Sequence, residues 1–289
     1  LNDPSLKGKP LIVGGSKERG VVAACSYEAR KFGIHSAMPM KKAMQLCPHA
    51  IVLKGSRGEY SRFSRWVTDI ISEKAPLFEK ASIDEFYIDL NGMEKYFKPY
   101  EWTIALRQEI IDKTGLNISF GLASNKMVAK IATDEAKPNG YLIIPKGKEK
   151  EFLQPLKVNK IPGVGEHTFK LLQDMGIETI GDILEIPSSL LEQRLGRYGT
   201  ELIRKANGEN DGVVSPYHEV KSVSTEHTFQ ENTGDMDFLM RELVRMSEKI
   251  CYELREENKM AGVVAVKLRY PDFETTSRQT TIPYTFYDD

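Results

Sequence analysis

Residues 82–90 read Ser-Ile-Asp-Glu-Phe-Tyr-Ile-Asp-Leu (SIDEFYIDL), a β-favouring run that carries two adjacent carboxylates, Asp84 and Glu85. Neighbouring side chains of an extended chain point to opposite faces, so one acid of the pair is directed coreward, where an unpaired carboxylate is costly. Two readings stay open. Both acids lie in water where a strand meets a turn, or a metal ion at the end of a hairpin compensates both. The surrounding sequence PLFEKASIDEFYIDLNG (76–92) predicts that hairpin. A helix (YEWTIALRQEIIDKTG, 100–115), a strand (LNISFGLAS, 116–124) and a second helix (NKMVAKIATDEAKPNG, 125–140) follow, which predicts a sheet with helices packed on one face. Asp89, on the same run, is read as structural.

Upstream, Leu11 to Val13 and Val21 to Ala24 read as short strands between glycine turns, and the sequence turns helical from about Pro39. Downstream, the pattern is helical from about 156 to 210, and NGENDG (207–212) reads as an exposed linker. The last part shows a strand in KSVSTEHTF (221–229), an amphipathic helix from about Asp235 to Glu257, and strands over Val263 to Tyr270 and Thr280 to Phe286.

The chain has 289 residues, 40% of them hydrophobic, with no long apolar run, signal peptide or membrane span, which describes a soluble globular protein with room for two or more domains. Cys25, Cys47 and Cys251 are far apart and in no metal-ligand spacing, as suits free thiols in a reducing cytoplasm. Net charge is −1, but residues 1–75 hold 13 Lys and Arg against 6 Asp and Glu, and residues 216–289 hold 9 against 14. A local basic surface is therefore compatible with a neutral total.

Three further stretches suggest phosphate contacts. In KIPGVGEHTFKLLQDMGIETIGDILEI (160–186), the Gly163-Val164-Gly165 turn joins two short helices as a helix-hairpin-helix, whose exposed amides can hold a phosphate without reading a base. A hairpin that only packs is the alternative. In NKMVAKIATDEAKPNG, Asn125 caps a helix that Pro138 ends, and Lys126, Lys130 and Lys137 share one face. That face meets a polyphosphate, or it is simply the solvated side of the helix. In SYEARKFG (26–33), Tyr27, Arg30 and Lys31 beside a glycine can clasp a phosphate through a hydroxyl and a bidentate guanidinium.

Taken in order, GVVAACSYEARKFGIHSAMPMKKAMQLCP (20–48), SIDEFYIDL, NISFGLASNKMVAKIATDEAKPNG, KIPGVG and KSVSTEHTF closely resemble the Y-family, or DinB-type translesion, DNA polymerases nearly end to end. The resemblance implies an α+β multidomain right-hand polymerase: fingers at 1–75 with a residual palm segment at 1–13, palm at 76–155, helical thumb with the hairpin at 156–214, and an incomplete α/β little finger at 215–289. It implies that Asp84 and Glu85 hold two Mg²⁺ ions and that Tyr27, Arg30 and Lys137 bind the β- and γ-phosphates of an incoming dNTP. Gly163, Val164, Gly165, Lys221, Ser222, Ser224 and Thr225 are then the contacts to primer–template DNA. Ala23 resembles the small residues beneath the nascent base pair, with a core alanine as its alternative.

The family pattern begins with a strand bearing another metal-binding aspartate and a bulky residue that excludes ribonucleotides; LNDPSLKGKP (1–10) matches the segment after them, and Asp3 is not expected to substitute. The pattern also continues past Asp289, through the end of the little finger and a tail that binds a sliding clamp. The resemblance thus implies a cytoplasmic monomer, away from membranes, truncated at both ends and with its own activity in question. Two other functions compete. A nucleotide cyclase shares adjacent palm carboxylates and two metals, but needs no hairpin at 160–165 and would not bind primer–template. A non-catalytic DNA-binding protein with a degenerate palm would bind duplex without metal-dependent nucleotide binding.

Overall fold

A computed structural model describes residues 3–217 and 219–282. Two compact units share the chain, one of residues 1–9 and 54–217, the other of residues 10–53 and 218–289. In the second unit the Leu-Ile-Val run forms β1 (Leu11–Gly14), followed by β2 (Val22–Cys25), α1 (Tyr27–Arg30), α2 (Met40–Leu46) and β3 (Ile51–Leu53). β1 is central, antiparallel to β2 and parallel to β3. Ile12, Val22, Met40 and Cys47 form the core beneath it.

The β1–β2 register shifts at one point: Val13 pairs with Ala24 and Gly14 with Val22, which leaves Ala23 as the extra residue of a bulge. Val22 is thereby turned into the core, whereas Ala23 is exposed. The core-alanine reading of Ala23 is thus incorrect, because the bulge aims it outward.

The other unit begins with α3 (Arg57–Ser72), then β4 (Phe78–Lys80), β5 (Phe86–Ile88) and α4 (Pro99–Thr114). Val67, Ile70 and Ile71 recur at helical spacing on α3 and meet Leu106 and Ile110 of α4, with Phe78, Phe86 and Ile88 of the hairpin packed against them. The predicted hairpin is present, β4 pairing antiparallel with β5.

Next come β6 (Phe120–Leu122), α5 (Lys126–Glu135) and β7 (Tyr141–Ile143). β6 and β7 are parallel, as a connection through α5 permits. Gly121 lets α5 sit close, since a Cβ there would collide with the Ala129 carbonyl oxygen. The single sheet read from the sequence is not formed: among the described residues β4–β5 and β6–β7 are separate two-stranded ladders. Hydrophobic alternation identifies strands but does not say which strands share hydrogen bonds.

A helical region follows, with α6 (Glu149–Leu153), a 3₁₀ turn at Val158–Lys160, α7 (Glu166–Asp174), α8 (Asp182–Glu185), α9 (Ser188–Leu195) and α10 (Arg197–Ala206). Leu153, Ile161, Leu172, Ile180, Leu191 and Leu202 are fully buried here, joined by Val128, Ile131 and Ala132 of α5. The segment before the hairpin turn is therefore a 3₁₀ turn and not a second α-helix. Likewise, 207–212 is not wholly exposed: Gly208 is buried and its carbonyl accepts a hydrogen bond from Asn125 Nδ2 at 2.8 Å.

The chain closes with α11 (Met236–Glu256), β8 (Val263–Arg269) and β9 (Thr275–Thr281). Asp235 caps α11 by accepting from the Phe238 amide, and β8 pairs with β9 through all seven residues. Of the strand expected at Thr280 to Phe286, residues 283–286 lie outside the described residues. No strand forms over 221–229. Side chains tie that segment to α11 and its end instead: Lys259 Nζ to the Val220 carbonyl (2.9 Å), Lys249 Nζ to Thr225 Oγ1 (3.3 Å) and His227 Nδ1 to Glu242 Oε2 (2.7 Å).

Candidate active site

Asp84 and Glu85 do not lie within a strand. They belong to the turn of the β4–β5 hairpin, immediately before β5 begins at Phe86. Ser82 fixes this turn: its Oγ accepts from the Asp84 and Glu85 amides (3.3 and 3.1 Å) and donates to Asp84 Oδ1 (2.8 Å). The Ala81 amide closes the loop onto the Glu85 carbonyl at 3.0 Å. The alternation rule therefore does not reach the pair, and neither acid is buried: Asp84 is exposed and Glu85 half-exposed. Asp89 accepts from the Asn91 amide at 2.9 Å, a turn contact in keeping with its structural reading.

α5 supplies cations to this hairpin. Asn125 caps the helix by accepting from the Val128 amide at 3.1 Å. Lys130 Nζ donates to Glu85 Oε1 at 2.6 Å, and Lys126 Nζ to Glu79 Oε2 of β4 at 2.5 Å. The solvated-face reading of these two lysines is corrected accordingly. Burial works to lower the Lys130 pKa, but the hydrogen bond and charge of Glu85, with Asp134 and Tyr87 beyond, outweigh it and leave the pKa raised. Burial pushes the Tyr87 phenol up, with Lys130 opposing. Lys137 lies past the C-cap, Ala136, and so is not part of the α5 stripe; its Nζ donates to Asp134 Oδ1 at 2.7 Å.

Glu79 is almost completely buried, and besides Lys126 its Oε2 accepts from the Ser215 amide at 2.9 Å. Lys126 also donates to the Val213 carbonyl at 3.2 Å and stands 4.8 Å from the centroid of the Tyr87 ring. Sequence reading passed over Glu79 and Asp134. The available signal was a pair of lysines one turn apart on the helix that follows an acid-bearing hairpin.

In the unit of residues 10–53, Ser26 caps α1 by accepting from the Ala29 amide, which places Tyr27 and Arg30 at the two ends of one turn. Both are exposed, and the Arg30 guanidinium carbon lies 5.7 Å from the Tyr27 ring centroid. Lys31 is exposed beside them. Asp84, Glu85 and Lys137 are thus brought together with α5 in one unit, and Tyr27 and Arg30 belong to the other.

At the hairpin, Gly163 adopts φ +96°, a conformation costly for any other residue, and Gly165 opens α7. Val164 does not present free groups: its side chain is buried in the helical core and its amide donates to the Ile161 carbonyl at 3.0 Å. Phosphate-facing amides are therefore to be sought at Gly165 and the first turn of α7, which has no side-chain cap among the described residues. Lys205 Nζ reaches the Pro162 carbonyl at 3.3 Å beside this turn. Lys221, Ser222 and Ser224 are exposed, and Thr225 is half-buried against α11 through Lys249.

Asp84 and Glu85 present carboxylate oxygens on one turn, the donor type that hard divalent cations take. The pair fits such an ion, although no third acidic, His or Cys side chain joins it among the described residues.

Residues 1–134 match the impB/mucB/samB family, 146–177 the IMS family HHH motif and 220–289 the impB/mucB/samB family C-terminal domain. A DNA polymerase IV of Dehalococcoides mccartyi is 44% identical over 278 residues, covering 96% of this chain and 71% of the relative. The chain belongs to the Y-family of DNA polymerases. A DNA polymerase IV of Methanoculleus marisnigri is 39% identical to this polymerase, over 97% of the chain and 79% of the relative. Among solved structures, a Dbh-Dpo4-Dbh Y-family chimera is similar to it at TM-score 0.84, with 30% identity and coverage of 98% and 83%. DinB from Sulfolobus solfataricus gives 0.70 at the same identity and coverage. Membership decides for a translesion-type, DNA-directed DNA polymerase over a nucleotide cyclase. No helix among the described residues is long and apolar enough to cross a membrane.

Proposed function

We propose that Asp84 and Glu85 hold the two Mg²⁺ ions of template-directed dNTP addition, and that Tyr27, Arg30 and Lys137 receive the nucleotide's β- and γ-phosphates. Mg²⁺ bound there would supply Lewis-acid stabilisation of the charge that develops during in-line displacement. Ser82 holds the backbone of both acidic residues and the Asp84 carboxylate on one turn, while the Glu85 carboxylate, paired with Lys130, has only to turn from that lysine to reach an ion beside Asp84. Lys137 and Arg30 offset triphosphate charge, Arg30 through a planar fork that matches phosphate oxygens. The amides at Gly165 hold the duplex backbone of primer–template without reading bases, and Lys221, Ser222, Ser224 and Thr225 extend that grip. Exposed Ala23 leaves room beneath a nascent base pair. In domain terms this assigns the fingers to 1–75, the palm to 76–155, the thumb to 156–214 and the little finger to 215–289.

The observation that carries this reading is the placement of two adjacent acids on a serine-pinned turn, outside any strand ladder. Asp84→Ala and Glu85→Ala in the full-length polymerase are each expected to lower Mg²⁺-dependent primer extension by about a hundredfold or more. Duplex binding should stay near the wild-type level, because the carboxylates serve cations and not the DNA backbone. Near-normal extension by either variant would remove the assignment.

A further inference from the structure

The two groups assigned above to cation and phosphate are both already paired within the protein. Glu85 accepts from Lys130 at 2.6 Å, and Lys137 donates to Asp134 at 2.7 Å. Lys130 and Asp134 are four residues apart on α5, the spacing at which side chains of one helix face meet, and the charge of Asp134 acts on Lys130. Glu85, Lys130, Asp134 and Lys137 therefore form a line of alternating charge that begins at a candidate metal ligand and ends at a candidate phosphate ligand.

We propose that Lys130 and Asp134 are positioning residues that exchange partners: as Glu85 turns to a divalent cation and Lys137 to a nucleotide phosphate, Lys130 passes from Glu85 to Asp134. This rests on the functional reading above. Before binding, Lys130 occupies the Glu85 carboxylate in place of a cation and keeps it oriented. Asp134 likewise keeps Lys137 folded back beyond the end of α5. Once both outer groups are engaged elsewhere, the inner two are left one turn apart with opposite charges and no other rearrangement to make. Each observed pair is partly exposed, so each is weak enough to yield to a ligand. The line also couples its ends. Withdrawal of Lys137 frees Asp134 to accept Lys130, which eases the release of Glu85.

The coupling is testable without nucleotide, DNA or turnover, by titrating the protein with Mn²⁺ and following the free ion by electron paramagnetic resonance. Lys130→Met should tighten Mn²⁺ binding about threefold, because Glu85 loses its internal competitor. Lys137→Ala should also tighten it about threefold with Asp134 in place, and should have no effect in an Asp134→Asn background. A general loss of positive charge near the ions predicts the same tightening in both backgrounds, and that result would overturn the exchange. Glu85→Gln separates this failure from failure of the site: if wild-type protein shows no Mn²⁺ binding that Glu85→Gln removes, the metal reading falls and the exchange with it. If Glu85→Gln does remove it while Lys137→Ala acts equally in both backgrounds, only the exchange falls.

Discussion

At the scale of single residues, the bulge in β2 makes neighbours with opposite duties. Val22 is buried under the sheet and Ala23 faces outward. Val22→Ala is expected to cost about 2 kcal/mol in chemical denaturation, from lost burial plus the cavity left behind. Ala23→Leu should change stability by less than about 0.5 kcal/mol. If Ala23 lies beneath the nascent pair, the same leucine should nevertheless slow extension opposite bulky template lesions. A large stability loss in Ala23→Leu would return that residue to the core. Asp182 shows a second residue-scale effect: its carboxylate accepts from the Thr179 and Glu178 amides (2.7 and 2.9 Å), while Thr179 Oγ1 accepts from the Asp182 amide. The amide of Thr179, then that of Glu178, holds the Asp182 pKa below its ordinary value. Because the folded-state pKa is depressed, the stabilisation is complete above about pH 4, the unfolded value, and is lost as pH falls through the folded pKa. Asp182→Asn should therefore lower the melting temperature at pH 7 and lessen the further loss on acidification to pH 3. Melting curves of both proteins at the two pH values provide the check.

At the scale of elements, α5 divides its surface between two neighbours. Val128, Ile131 and Ala132 face the helical core, while Lys126 and Lys130 reach the acids of the β4–β5 hairpin. The Glu79–Lys126 pair also receives the chain at Val213 and Ser215, so one buried carboxylate joins β4, α5 and the segment after α10. Lys126→Met leaves Glu79 buried without its cation and should destabilise by about 3 kcal/mol. Glu79→Gln together with Lys126→Met should recover part of that loss, and urea titration of the three variants measures it. This joint was the part least legible in the sequence. The hairpin, α4, α5 and α11 could be read from local periodicity and caps, since Asn125 and Asp235 sit where capping demands. The 221–229 stretch reads as a strand by the same logic yet has no ladder partner among the described residues, and the lysine stripe reads as solvated because its acidic partners lie 45 and 47 residues away in sequence. Such pairings depend on tertiary placement, to which residue spacing is blind. The acid pair at 84–85 stood out in the sequence as a candidate site, whereas the serine that pins its turn needed coordinates.

At the scale of the molecule, stability is distributed over separate cores, and the candidate site is attached to two of them. The core of α3 and α4 lies behind the β4–β5 hairpin that carries Asp84 and Glu85, and the helical core holds α5, which carries Lys130 and leads to Lys137. Local opening of either one should therefore disturb the site from its own side, through units of structure that can unfold with different free energies. Ile131 is fully buried in the helical core, so Ile131→Ala should cost about 3 kcal/mol while removing no polar contact. Native-state hydrogen exchange is expected to show faster exchange at amides of α5, α7 and α10, with those of α3 and α4 close to wild type. Mn²⁺ affinity should then change only as far as Lys130 loses its place beside Glu85, giving a shift in the same direction as Lys130→Met and no larger. Uniform acceleration of exchange across α3, α4 and the helical region would instead mean that both cores open as one unit, and the two sides of the site could not be perturbed separately.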